Sequence, residues 1–168
     1  MLQKKICMLG RFAVGKTSLV ARFVHSMFSE RYHTTIGVKI DKKLVELDGR
    51  RVKLMLWDIY GEDDHQTIKP VYLRGTAGYV LVADGTRPAT LAALESIHQR
   101  ARAQLGPRPF VVALNKSDLQ GDWGLREDDI ESWRARPDCA GVFRCSAKTG
   151  AEVERLLHTL AKASLSAA

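Results

Sequence analysis

"KKICMLGRFAVGKTSLVARFV", residues 4–24, changes periodicity across a glycine-bounded loop. Ile6 to Leu9 is a continuous apolar run ending at Gly10, the pattern of a buried strand. Leu19, Val20, Phe23, Val24 and Met27 then recur on one face at helical spacing. Between them, Gly10 to Ser18 reads GRFAVGKTS and fits G-x-x-x-x-G-K-[ST] in the strand–loop–helix setting that motif requires. Gly10 and Gly15 let the backbone turn tightly and approach an anion. The N–H groups of Ala13, Val14, Gly15, Lys16 and Thr17 gather at a helix start, where the partial charge is positive. Lys16 adds a full charge toward the outer phosphates, the Thr17 hydroxyl can ligate Mg2+, and Ser18 closes the motif. The pattern says phosphate and leaves the nucleotide open.

Working outward, strands and helices alternate. Val38 to Leu47 and Arg51 to Trp57 read as strands joined at Asp48-Gly49, a hairpin signal. Val52, Leu54 and Leu56 alternate with Lys53, Met55 and Trp57. Lys39, Lys42 and Lys43 mark the first of these strands as an edge. Gly78 to Ala83, Phe110 to Leu114 and Val142 to Cys145 supply three more strands. Helices are expected from Pro88 to Leu105, from Glu127 to Trp133, and from Val153 onward. Such alternation implies a mostly parallel α/β sheet covered on both faces, with ligands at the carboxyl ends of the strands.

The 168 residues suit one domain, 1–168, with a buried core. The net charge of +7 raises nucleic acid, anionic membrane or a phosphate ligand as partners. No basic run is interleaved with aromatics, which argues against nucleic acid. Arg100, Arg102 and Arg108 are candidates for a basic face and read more simply as solvated. Cys7, Cys139 and Cys145 form neither a disulfide framework nor a zinc pattern, so a reducing, cytoplasmic setting is expected. No apolar run reaches membrane-spanning length, and neither end carries a lipidation signal, so no direct lipid anchor is expected.

Three further strand ends carry chemistry. Asp58 and Gly61 form D-x-x-G, a carboxylate for the Mg2+ side and a glycine whose N–H can approach a γ-phosphate. Asn115-Lys116-Ser117-Asp118, followed by Leu119, can read a base. The Asp118 carboxylate accepts from guanine N1–H and the exocyclic amine, a donor pair adenine lacks. A buried acceptor of this kind rejects the wrong ligand by as much as ~10⁴–10⁵. Asn115 braces neighbouring loops, and the Lys116 stem covers one face of the base. In Cys145-Ser146-Ala147-Lys148, the Ala147 N–H can donate to guanine O6, with Ser146 and Lys148 supporting the loop. Taken singly, these are turns or helix caps.

In order, they resemble the Ras superfamily of small GTPases, near its Rab and Roc-like branches, from about Lys4 to Ala163. "TTIGVKI" (34–40), "LMLWDIYG" (54–61), "YLRGTAGYVLVADGT" (72–86) and "NKSDL" (115–119) carry the likeness in combination. The resemblance implies a three-layer P-loop NTPase fold: six strands, one of them an antiparallel edge, and about five helices. It implies GTP/GDP and Mg2+ as ligands, GTP hydrolysis, and effector proteins, an exchange factor and an activating protein as partners of a monomer. It makes Thr35 the switch threonine, reaching Mg2+ and the γ-phosphate, places Phe28 against the guanine, and lets Tyr32 close over the phosphates. Thr17, Thr35 and Asp58 form the metal set, and Lys16, Thr35, Gly61 and Glu62 the catalytic one.

The chain departs from that pattern at three places. Glu62 stands where the family usually has a water-orienting glutamine; ionised, it only accepts. Phe12 replaces a small residue near the γ-phosphate and crowds the approach of a partner's arginine finger. Ile59-Tyr60 replaces the common Thr-Ala at the second switch hinge. Asp63 and Asp64 read as solvated. A slow GTPase is therefore expected, with a nucleotide-binding module that scarcely hydrolyses as the alternative. A small-molecule P-loop kinase shares only Gly10 to Thr17.

Overall fold

The computed structural model describes residues 1–29, 37–63 and 66–166. Six strands form one sheet in the order β2-β3-β1-β4-β5-β6. They are β1 (Leu2–Gly10), β2 (Val38–Leu47), β3 (Arg50–Ile59), β4 (Gly78–Asp84), β5 (Phe110–Asn115) and β6 (Cys139–Arg144). Only β2 runs antiparallel, paired to β3 with Ile40 opposite Trp57 and Leu44 opposite Lys53. Asp48 and Gly49 turn this hairpin with φ of 51° and 77°, the positive pair a two-residue turn needs. The helices are α1 (Lys16–His25), α2 (Pro88–Ala92), α3 (Leu94–Leu105), α4 (Glu127–Arg134) and α5 (Val153–Ser166). Among the described residues, the expected six-stranded sheet and antiparallel edge strand are present.

Strand alternation divides the core into two layers. Ile6 and Met8 join Leu54, Leu56, Phe23 and Leu160 beneath α1 and α5. Cys7 and Leu9 join Tyr79, Phe110, Ile97 and Trp133 beneath α3 and α4. Each such aliphatic or aromatic side chain contributes about 1.5–3 kcal/mol by leaving water. Among them, His98 accepts or shares a hydrogen bond with the Tyr79 hydroxyl (2.9 Å) between the Phe110 and Trp133 rings.

Three expectations need correction. Met27 is not on the apolar face of α1: the helix stops at His25, Ser26 turns left-handed (φ 53°), and Met27 is 64% exposed beyond it. The helix expected over Pro88–Leu105 divides at Ala93, which keeps helical dihedrals while serving both α2 and α3 as a cap. The last strand also starts earlier, at Cys139, and Cys145 lies just past it, donating its N–H to Leu114 O at 2.9 Å.

Candidate functional site

The parallel strands end at one edge of the sheet, and their ends carry Gly10, Asp58, Asp84, Asn115 and, beyond β6, Ser146 to Lys148. The loop after β1 is bound to the loop after β5 through Asn115. Its Nδ2 donates to Val14 O (3.0 Å), while its Oδ1 accepts the Ala147 N–H (3.2 Å). Gly15 (φ 102°) is required here: a Cβ would lie 2.2 Å from Asn115 Nδ2. Leu19 N–H donates to Gly15 O at 2.9 Å, so α1 begins at Lys16 and its first N–H groups face the loop.

Lys16 is 6% exposed, its Nζ 3.4 Å from Arg11 O. Burial pushes its ammonium down to about 8, although the Asp58 and Glu62 charges favour the protonated form. A buried cation among backbone N–H groups calls for an anion. Beside it, the Thr17 hydroxyl donates to Asp58 Oδ2 at 2.6 Å, with Asp58 fully buried. A hydroxyl and a carboxylate are the hard oxygen donors that suit Mg2+. No group of three or more His, Cys, Asp or Glu side chains gathers around a metal position among the described residues. A cation here therefore fits as one held by two side chains, with phosphate oxygens and water completing its shell.

At the other end, a cavity of about 250 Å³ is lined by Ser18, Phe28, Lys116, Asp118, Leu119, Ala147 and Lys148, with Asn115. Asp118 is exposed at the mouth rather than buried, and the Ser146 hydroxyl donates to its Oδ1 at 2.7 Å. That bond aims the carboxylate and leaves it reachable. The Ala147 N–H expected at guanine O6 is instead engaged by Asn115 Oδ1, because the two loops abut.

Three residues at this edge escaped the sequence reading. Asp84, 1% exposed at the end of β4, takes an ion pair from Lys116 Nζ (2.8 Å) and one from Arg87 Nε (3.0 Å), plus the Thr86 N–H and hydroxyl. Burial alone would raise its pKa, but these hydrogen bonds together hold it below the usual carboxylate value. Arg87 also donates from Nη2 to Phe12 O (3.0 Å), and Lys116 reaches Ala13 O at 3.4 Å, so both sides of the P-loop are clasped. Arg22 of α1 donates from Nε to Ala147 O (2.8 Å) and from Nη2 to Lys148 O (2.5 Å). Its only sequence signal is a basic residue in the last turn of α1.

Gly61 lies on the P-loop itself. Glu62 N–H donates to Gly10 O (3.1 Å), Phe12 N–H donates to Glu62 O (3.0 Å), and a Cβ on Gly61 would sit 2.5 Å from Phe12 Cα. The Glu62 side chain, expected among the catalytic groups, is held elsewhere in this structure. It is 4% exposed and turned to α3, where Arg100 Nη1 donates to Oε2 (2.7 Å) and Nη2 to Oε1 (2.5 Å). Arg100 and Arg102 are both exposed, as a solvated face requires, yet each is paired: Arg100 with Glu62, and Arg102 through Nη1 with Asp138 at 2.9 Å. Tyr32, Thr35 and Asp64 lie outside the described residues.

A buried lysine in the loop after β1, the Thr17–Asp58 pair and a cavity lined by Asn115, Lys116 and Asp118 share one edge. The model of the Ras family matches residues 5–166. The chain belongs to the Ras family. It is similar to Ras-related protein Rab-7a of Paramecium octaurelia, 33% identical over 167 residues that cover 96% of this chain and 81% of the relative. It is also similar to Rab-7b of Mus musculus (32%, covering 96% and 82%) and to Rab7 of Glycine max (33%, covering 96% and 82%). The chain is thus a Rab-like small GTPase of this family. Among the described residues, no helix is long and apolar enough to cross a membrane.

Proposed function

We propose that the protein is a guanine-nucleotide switch, one domain over residues 1–168, that binds GTP and GDP with Mg2+ and hydrolyses GTP slowly by itself. The observation that carries this reading is the continuity of the P-loop around Lys16 with the cavity framed by Asp118 and Lys116, joined through Asn115. Lys16, which burial has already brought to about 8, meets the phosphate charge it needs. Thr17 and Asp58, with Thr35, would hold Mg2+, which neutralises charge between the outer phosphates. Asp118 selects guanine, Ser146 orients it, and Phe28 and the Lys116 stem flank the ring. Gly61 admits the γ-phosphate because a side chain there would meet Phe12.

Slow turnover follows from Glu62, which faces Arg100 and not the attacking water, and from Phe12, 42% exposed where an arginine finger would enter. Such a finger is worth on the order of 10³–10⁵ in rate, or ~4–7 kcal/mol. An activating protein, an exchange factor and effectors are the partners this switch requires, and a cytoplasmic monomer is the form in which it would meet them. The Glu62–Arg100 contact also favours a second reading, a nucleotide-dependent binding module with little hydrolysis. Nucleotide extracted from the purified chain should be GDP or GTP, with GTP outcompeting ATP in calorimetry. Phosphate release from preloaded GTP then separates a slow GTPase from a binding module. A chain that comes out empty and shows no guanine preference would overturn both.

A further inference from the structure

The segment after Gly61 is tied down three times. The Tyr60 hydroxyl donates to Thr67 O at 2.5 Å. The Ile68 N–H donates to Glu62 Oε2 at 3.0 Å. Arg100 then grips both Glu62 oxygens from α3, as a planar guanidinium does with a carboxylate. The Glu62 backbone meanwhile lies on Gly10 and Phe12 of the P-loop. The residue next to the reacting phosphate in the proposed reaction is therefore anchored by its main chain at the P-loop and by its side chain at α3. Both of its carboxylate oxygens are engaged by Arg100 and the Ile68 N–H.

We infer that Arg100 is a positioning residue that latches Glu62 in a hydrolysis-incompetent orientation, and that opening this ion pair is what permits GTP hydrolysis. The inference rests on the GTPase reading and adds its control. A carboxylate held by two guanidinium N–H groups of α3 and the Ile68 N–H in a buried position is kept from turning to a water at the γ-phosphate. Once Arg100 is removed, the buried carboxylate is left without its counter-charge, which strongly disfavours the closed position. Glu62 then turns toward solvent and the phosphate side, where it can accept the proton of the attacking water and orient it. The donor half of that function, which glutamine would supply, stays absent, so the released enzyme remains slower than a partner-assisted one. Arg100 touches neither nucleotide nor base cavity, so its loss leaves GDP binding intact.

The test is single-turnover hydrolysis by Mg2+-GTP-loaded wild-type chain, Arg100→Gln, and the double variant Arg100→Gln/Glu62→Ala, with GDP affinity measured for each. Arg100→Gln should hydrolyse about five-fold or more faster than wild type at unchanged GDP affinity. Adding Glu62→Ala should abolish the gain, which a purely structural role for Arg100 would not produce. An Arg100→Gln rate equal to or below wild type overturns the latch, including the case in which neither chain hydrolyses. So does a gain that survives Glu62→Ala. If all three chains bind GDP normally, such a result sinks the latch alone; if wild type shows no guanine preference, the proposed function fails and the latch with it.

Discussion

The base-and-phosphate half of the site and the segment after Gly61 are held by different kinds of bond. In the first, side chains clamp backbone carbonyls: Asn115 on Val14, Arg22 on Ala147 and Lys148, Arg87 on Phe12, Lys116 on Ala13. The gripped atoms belong to every possible residue, so this half is rigid for a ligand that never changes. In the second, there is one such clamp, Tyr60 on Thr67 O, and the Glu62 side chain is held by an ion pair with Arg100. Such anchors can be released by altering one group, as a segment that must respond to one phosphate more or less requires. The comparison teaches that the recognition half is overdetermined while the switching half hangs on particular, idiosyncratic residues.

The largest expected effect breaks the rigid half at its reader. Asp118→Asn should lower the preference for GTP over ATP by about 10²–10³-fold, less than for a fully buried acceptor because water reaches this carboxylate. Competition calorimetry measures it, and a preference kept within a few-fold would remove Asp118 from recognition. Gly15→Ala comes next. A Cβ at φ 102° and 2.2 Å from Asn115 Nδ2 must displace the Asn115 bridge, costing ~2–3 kcal/mol, or roughly 30–150-fold in nucleotide affinity. An affinity loss below about three-fold would mean the bridge yields cheaply.

Smaller effects sharpen the switching half. Glu62→Gln removes the ion pair and supplies an amide that both donates and accepts, so single-turnover hydrolysis should rise several-fold. Equal or slower turnover would show that Glu62 does not limit the rate. A control lies outside both halves. Burial, then the Arg136 charge, holds His98 below the usual imidazole value, although Glu95 and Asp138 also face it and favour protonation. The unfolded chain therefore takes up this proton first, and stability falls as pH drops below about 6.5. The loss is at most ~1.4 kcal/mol per pH unit. Urea midpoints for wild type and His98→Gln should diverge only below that pH; parallel curves would refute the assignment.

Much of this molecule was legible along the chain. Alternating apolar runs placed the strands to within a few residues, because a strand's burial is written in neighbouring positions. Gly10, Gly15, Lys16 and Thr17 announced a phosphate loop because backbone recognition of an anion needs those residue types at short, local spacing. Met27 misled because a helix's end is set by the left-handed turn at Ser26, which periodicity does not register. Asp84, Arg87 and Arg22 were missed because nothing in their neighbourhoods distinguishes them from surface charge.

By itself, the sequence determined the fold, the family and the order of chemical groups at the strand ends, since each depends on local periodicity or on a contiguous motif. Only the tertiary structure decided which way those groups face. Glu62 reads as a catalytic substitute until α3 brings Arg100, 38 positions away, against both of its oxygens. Local spacing carries no record of that pairing, because the energy of a buried ion pair depends on distance in space and exclusion of water, not on separation along the chain.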